Sequence, residues 1–349
     1  MRWRGVYALV LAAGLSALVA SAGEARRPPV IVTVMTRNLY LGANLDAIVK
    51  AKSPQEAYAA VEAGWAQVQA NDFPTRARAI AGEIATARPD FVGFQEAVLY
   101  RTQTPADFTV TPATTVALDY VAELRKALGA RHLKYRFLVV GSWTDAELPS
   151  GNPPKMDIRL TVRDALLVRT DRKIKIKRVA RGQYATITPL FGGLVTAKRG
   201  WVFADATLAG RSFRVITTHL ESFSNAAQVA QGQELAEDPG LNTARPTVLL
   251  GDLNSRADGT GTPTYANLLA AGFRDAWTQA HPTDIGLTCC HGDDLRELGG
   301  PFYSRIDYVL LRHGFRAVAA GIVGEEPGDR ISGLWPSDHA GLWARLRLG

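Results

Sequence analysis

Six apolar runs in this 349-residue chain end or begin on a carboxylate, a carboxamide or an imidazole. "VMTRN" ends on Asn38, "FVGFQE" on Glu96 and "VITTH" on His219. "LLGDLN" delivers Asp252 and Asn254, "RIDYVLL" starts on Asp307, and "WPSDH" carries Asp338 and His339. In an extended chain, residues two apart share a face, so Asp252 and Asn254 are expected to point the same way. A single case of this kind reads as a turn, because Gly, Asp, Asn and Ser are common turn formers. Six cases predict a polar floor where strand ends converge.

The rest of the chain supplies the walls. Val30, Ile31, Val32 and Val34 mark a β-branched strand over 30–38. A helix is signalled from Ser53, an N-cap followed by Pro54 at the first helical position and Glu56 for a capping box. "TRARAIAGEIATAR" reads as a second helix that stops before Pro89, and 90–97 as a buried strand. "LDYVAELRKALGA" reads as a helix, "KYRFLVV" as a strand, and 102–115 and 147–155 as loops. The middle of the chain is strand-rich, with a hairpin turn at Gly210. In "RKIKIKR", Lys173, Lys175 and Lys177 share one face and Ile174 and Ile176 the other, the pattern of an edge strand protected by lysines. "ITPLFGGLVTAKRGW" (187–201) reads as an ordinary core hairpin with a Gly-Gly turn, the alternative being an exposed apolar hairpin for contact with a lipid surface. Irregular alternation of strands and helices predicts mixed sheets packed together and covered by helices.

Residues 1–22 stand apart. Arg2 and Arg4 precede an apolar run that ends Ala20-Ser21-Ala22, a small-x-small pattern that predicts a cleaved signal peptide, a mature chain from Gly23 and a secreted or periplasmic location. Residues 23–349 are expected to form one domain, with no later run long enough to cross a bilayer. Loss of the two arginines takes the net charge from +7 to +5, which suits an anionic substrate without requiring one. The two cysteines, Cys289 and Cys290, are adjacent. They read either as a vicinal disulfide or as two semi-buried thiols, with a metal site formed with His291 a weaker reading.

The polar inventory fits one chemistry. Carboxylate and amide oxygens suit a hard cation such as Mg²⁺ or Mn²⁺, and the histidines handle protons near neutral pH. Ser or Cys nucleophile motifs, a phosphate-cradling glycine loop and the zinc pattern HExxH are all missing from the sequence. A cation, a water and imidazoles together point to hydrolysis of phosphate esters.

At this point the chain resembles the endonuclease/exonuclease/phosphatase superfamily. "TRN", "FQE", "THLE", "GDLN", "RIDYVL" and "SDH" occur in that family's order across almost the whole mature chain. The resemblance implies an α/β fold, a four-layered α/β sandwich of two packed mixed β-sheets flanked by helices, with the site at one edge. It implies that Glu96 is the principal Mg²⁺ ligand, with Asn38 beside it and Asp338 contributing. Asp252 resembles the carboxylate that orients or deprotonates the attacking water, and Asn254 the group that holds a phosphate oxygen. His339 and Asp307 look like a hydrogen-bonded pair. His219 matches the imidazole that donates to the scissile phosphate or protonates the leaving oxygen. Arg163 is a looser match to a phosphate contact, with a surface arginine the alternative. A carboxylate partner for His219 is not placed, Glu221 being the nearest in sequence.

The expected function is that of a secreted, Mg²⁺-dependent phosphodiesterase with nuclease-like activity. A lipid phosphoesterase of sphingomyelinase or phosphoinositide-phosphatase type, and a non-catalytic binding module, are the alternatives. Nucleic acid is placed ahead of phospholipid as the substrate because the lysine face could follow a phosphate backbone.

Overall fold

A computed structural model describes residues 28–298 and 302–349. The predicted signal peptide lies outside the described residues. The strands in chain order are β1 (Val30–Asn38), β2 (Phe91–Gln95), β3 (Leu99–Gln103), β4 (Thr115–Asp119), β5 (Tyr135–Ser150), β6 (Met156–Arg169), β7 (Lys175–Gln183) and β8 (Thr188–Leu190). They continue as β9 (Val195–Ala197), β10 (Gly200–Leu208), β11 (Arg211–His219), β12 (Thr247–Asp252), β13 (Arg274–Asp275), β14 (Asp307–Arg312), β15 (Phe315–Val323) and β16 (Gly341–Leu348). The α-helices are α1 (Asp46–Val49), α2 (Pro54–Ala70), α3 (Phe73–Ala87), α4 (Tyr120–Ala130), α5 (Asn225–Glu237), α6 (Thr264–Ala270) and α7 (Ala276–Ala280).

Two mixed sheets form the centre. One has the order β15-β16-β1-β2-β6-β3-β4, with β5 also on β6; the other has the order β13-β14-β12-β11-β10-β7. Between them lies a core that includes Val32, Val34, Phe91, Phe213, Val215, Val248, Leu250, Val309 and Leu342. On the outer face of the first sheet, Val92 and Phe94 pack under α2, α3 and α4 through Val68, Ile80, Ile84 and Leu124. On the outer face of the second, Ile216, Leu249 and Leu310 pack under α5 and α6 through Leu235 and Leu268. The order helix, sheet, sheet, helix is the expected four-layered sandwich.

Local signals explain the elements. Ser53 accepts from the Glu56 N–H and begins α2, while the Glu56 carboxylate reaches back to Lys52 N–H. Helix α3 ends at Ala87, two residues before Pro89. β7 is an edge strand with Lys175 and Lys177 exposed and Ile176 packed on the inter-sheet core. Two expectations need correction. The segment 147–155 is not all loop, since β5 runs to Ser150 and pairs with β6 through Ser150↔Met156. The hairpin at 187–201 is not part of the core: β8 and β9 pair only with each other, and the Phe191–Gly193 tip between them joins the ladder of neither large sheet.

Candidate active site

The site is the polar end of the inter-sheet core. Strand side chains alternate between faces, so each stripe that faces the opposite sheet can be followed to its end. On β1 the stripe runs Val32, Val34, Thr36, Asn38; on β11 it runs Phe213, Val215, Thr217, His219. On β12 it is Val248, Leu250, Asp252, and on the antiparallel β14 it is Leu311, Val309, Asp307. Register aligns the ends: Asn38 pairs with Gln95 beside Glu96, His219 with Asp252, and Asp252 with Asp307. Asp338 and His339 arrive from the segment that leads into β16, next to β1. Asn38, Glu96, His219, Asp252, Asn254, Asp307, Asp338 and His339 therefore meet at one edge of the sandwich.

The two sheets are stitched just beneath this floor. Thr36 Oγ1 donates to Gln95 Oε1 at 3.1 Å, and Gln95 Nε2 donates to Thr217 Oγ1 at 2.7 Å. Gly93, two residues earlier on the same face of β2, permits the approach, since a Cβ there would lie 2.5 Å from Thr217 Oγ1. Above the stitch, Asn38 Nδ2 donates to Asp252 Oδ2 at 3.1 Å across the sheets and to Glu96 Oε1 at 3.4 Å. Glu96 has a positive φ of 55°, which turns its carboxylate back so that Oε2 accepts the Leu41 N–H at 2.6 Å.

Asp252 serves the turn and the floor at once. Its Oδ1 accepts the Asn254 N–H at 2.9 Å, closing the turn after β12. Its Oδ2 faces Asn38, His219 Nε2 at 3.5 Å and His339 Nε2 at 3.9 Å. Burial, with repulsion from Asp307, pushes the Asp252 carboxyl up to about 7. Burial also pushes Asp338 up to about 6, with Glu96 adding repulsion.

The two histidines differ in charge. Burial disfavours a proton on His339, but Asp307, Asp338 and Asp252 outweigh it and hold its pKa well above the ordinary value. His339 Nδ1 donates to Asp307 Oδ2 at 2.9 Å, and Thr288 Oγ1 donates to the same oxygen at 2.7 Å. His219 goes the other way. Burial, Arg199 and His339 hold its pKa well below the ordinary value. Arg199 Nη1 donates to His219 Nδ1 at 2.9 Å, so the neutral ring carries its proton on Nε2. Asn254 Nδ2 lies 3.1 Å from that nitrogen and donates to Leu220 O at 3.0 Å, so as placed two N–H groups face each other and no hydrogen bond joins Asn254 to His219.

Arg199 is the residue that sequence reasoning missed. It occupies the place sought for a carboxylate partner of His219. Glu221 sits behind it, 3.7 Å from Arg199 Nη2, and accepts the Ser222 and Phe223 N–H groups. Arg163, expected at a phosphate, is committed elsewhere. Its guanidinium donates to Ala97 O at 2.6 Å, to Val98 O at 2.8 Å and to Asp119, the N-cap of α4. It props the chain that follows Glu96 and is buried in doing so. Two more buried arginines brace the loops of the site. Arg37 pairs with Glu83 and donates to the His339 carbonyl, and Arg76 donates to Leu39 O and Pro336 O. Cys289 and Cys290 are disulfide-bonded to each other, which removes them as thiolate ligands although they lie close to His339.

The donor set fits a hard divalent cation. Four carboxylates and two carboxamides converge, and burial, with like-charge repulsion from Asp307 and Glu96 adding to it, raises the pKa values of Asp252 and Asp338. One ligand atom each from Asp252, Asp307 and His339 lies within 4.8 Å of the others, and Glu96 and Asp338 act on each other electrostatically beside them. As placed, Asn38 presents its amide nitrogen to the carboxylates and its Oδ1 to Tyr40 N–H, so it would ligate only after its carboxamide turns over.

Comparison with known proteins agrees with this geometry. The model of the Endonuclease/Exonuclease/phosphatase family matches residues 61–339. None of the curated proteins searched matches the chain. Among solved structures, an endonuclease/exonuclease/phosphatase family protein from Bacteroides thetaiotaomicron is similar with a TM-score of 0.58 and 16% identity, covering 93% of this chain and 100% of its own. TDP2 from D. rerio, complexed with single-strand DNA product, is similar with a TM-score of 0.55 and 17% identity over 90% of this chain and 98% of its own. A mannosyl-6-phosphatase from Bacteroides thetaiotaomicron gives a TM-score of 0.56 and 16% identity over 90% of this chain and 99% of its own. With the family match spanning most of its length, the chain belongs to the endonuclease/exonuclease/phosphatase family and is a metal-dependent phosphoesterase.

Proposed function

We propose that the chain is an exported, Mg²⁺-dependent phosphodiesterase. The observation that carries this reading is the meeting of Glu96, Asp338 and Asp252 with one neutral and one charged imidazole at the same sheet edge. A divalent cation there would stabilise charge on the phosphoryl oxygens. The chain's own groups divide the remaining work. Asp252 Oδ2, held by Asn38, accepts a proton from the attacking water. Its raised pKa makes it a better base than an exposed aspartate. His219, neutral, offers Nε2–H to a non-bridging oxygen, and Asn254 holds a second. His339, positively charged and fixed by Asp307, stabilises the negative charge that develops in the transition state.

A diester is favoured over a monoester by charge. The cations at the floor are Arg199 and His339, and Arg199 is already engaged with His219 and Ser222. Among the described residues no lysine or further arginine clamps the floor to take the second negative charge of a terminal phosphate. The lysine face of β7 lies apart from the floor. Lys175 pairs with Thr207, which pairs with Ser212, seven residues along β11 from His219 and roughly 23 Å away at ~3.3 Å per residue. Export rests on the N-terminal signature alone.

The test compares bis-p-nitrophenyl phosphate with p-nitrophenyl phosphate in EDTA and after Mg²⁺ or Mn²⁺ is restored. Cation-dependent turnover with the diester ahead is expected. A monoester preference would make the protein a phosphatase instead. Mass analysis of the secreted chain is expected to show Gly23 first, and a chain retaining Met1 would overturn export.

A further inference from the structure

Beside the polar floor, and continuous with it, opens an apolar cavity of about 330 Å³. Its lining includes Glu96, Asp338 and Arg199, the same groups that frame the floor. Its walls come from three places. Ile48 and Trp65 project from α1 and α2, Leu160 and Val162 from β6, and Phe191 and Val195 from the β8–β9 hairpin. The size is at the low end of ligand pockets, which run roughly 300–1,000 Å³. The family's chemistry at the floor needs no such chamber, since the water, the phosphoryl group and the cation all lie among the strand ends.

The hairpin adds an independent observation. It belongs to neither large sheet, and its base is held by Thr144, whose Oγ1 donates to Lys198 O at 3.0 Å and accepts Lys198 N–H at 2.8 Å. Phe191 and Val195 turn inward, while Leu194 between them is 88% exposed. Phe223, also at the cavity, is 38% exposed. An aqueous surface that holds such groups at the rim of an apolar cavity is arranged for contact with apolar matter.

Resting on the phosphodiesterase reading, we propose that this cavity is the subsite for an aliphatic chain of the substrate. The substrate is then an amphiphilic phosphodiester whose phosphate sits on the floor and whose chain lies between α2, β6 and the hairpin. The occupant is part of the substrate because the cavity shares Glu96, Asp338 and Arg199 with the floor. A sugar or a nucleobase would leave the polar groups that face Ile48, Leu160 and Val162 unpaired, and only those near Asn44, Thr144 or Ser222 would find partners.

The test is a series of p-nitrophenyl alkyl phosphates from ethyl to octyl, used as monomers with Mg²⁺. Burial of each methylene stabilises by about 0.8 kcal/mol, so kcat/KM is expected to rise about two- to four-fold per added methylene until the cavity is full. Gly64→Leu fills the cavity from α2. A Cβ at Gly64 has Ile48 Cδ1 at 3.7 Å, an ordinary contact, and leucine favours a helix more than glycine does. This variant is expected to cut the octyl-to-ethyl ratio at least tenfold. Leu194→Asp is expected to lower the rate on phospholipid vesicles relative to that on the octyl ester. Turnover of the ethyl ester with an octyl-to-ethyl ratio below two overturns the chain subsite and leaves the phosphodiesterase reading intact. So does a higher kcat/KM for thymidine 5′-(p-nitrophenyl phosphate) than for the octyl ester. A second measurement needs no turnover. Calorimetry with monomeric decylphosphocholine is expected to show binding weakened at least tenfold by Gly64→Leu, and equal affinity, or no binding to the parent protein, overturns the proposal.

Discussion

The stitch between the sheets can be tested by removing its middle member. Gln95→Leu keeps volume but leaves Thr36 Oγ1 without its acceptor and Thr217 Oγ1 without its donor, both fully buried. A buried polar group stripped of its partner costs about 1–3 kcal/mol, so two of them, less the gain from burying leucine, give about 2–4 kcal/mol. The assay is guanidinium unfolding, read as a shift of midpoint at constant slope. The triple variant Thr36→Val, Gln95→Leu, Thr217→Val replaces every partner with an apolar group of similar shape. It is expected to return to within about 1 kcal/mol of the parent. Activity separates stability from alignment. The floor draws Glu96 and Asn38 from one sheet and His219 and Asp252 from the other. A slip of about 1 Å between them would lower kcat/KM by about 10²-fold, in the triple variant as well as the single one. A Gln95→Leu protein within 0.5 kcal/mol of the parent, or a triple variant of full activity, would refute the idea that this polar chain aligns the sheets.

Other outcomes follow from the same geometry. Glu96→Gln is expected to lower kcat by at least about 10²-fold and raise the Mg²⁺ concentration needed for half-activity, with the melting temperature near that of the parent. Asp252→Asn is expected to lose most of kcat while keeping the Oδ1 bond to Asn254; Asp252→Ala loses rate and about 1 kcal/mol of stability besides, measured on the same preparations. Burial pushes the Asp164 carboxyl up to about 7, even though Trp143 Nε1 donates to it at 2.7 Å. The folded chain keeps this proton up to about pH 7 and the unfolded chain releases it near 4, so the group makes the protein less stable as pH rises through that window. Asp164→Asn is expected to flatten that part of the stability profile, and an unchanged profile would count against the burial argument.

What could be read in the sequence was whatever follows short periods and local turns. Asn38, Asp252 and Asp307 were legible because each extends a two-residue apolar stripe to its end, and that stripe faces the other sheet. Ser53 and Pro54 announced α2 for the same local reason. Gln95 was visible only as the neighbour of Glu96; its role depends on Thr217, 122 positions away. Arg199 lies in a stretch with no motif, and its link to His219 exists only because β10 pairs with β11. Arg163 misled because an arginine beside an apolar strand looks alike whether it meets a phosphate or backbone carbonyls. Helix α5 was missed because its inward face is partly polar: Gln228 and Gln231 are buried and donate to Leu253 O and Thr186 O. The Gly-Gly turn of the hairpin at 187–201 was readable, but its separation from both sheets was not.

β16 lies between β15 and β1, so a strand near one end of the sequence is zipped to a strand near the other. The Arg37 contact with the His339 carbonyl spans 302 positions. Closing so long a loop is slow, and local helices need not wait for it. During refolding from denaturant, ellipticity should therefore recover ahead of turnover. The delay between the two signals would time the arrival of β16, making catalysis a clock for the completion of the sandwich.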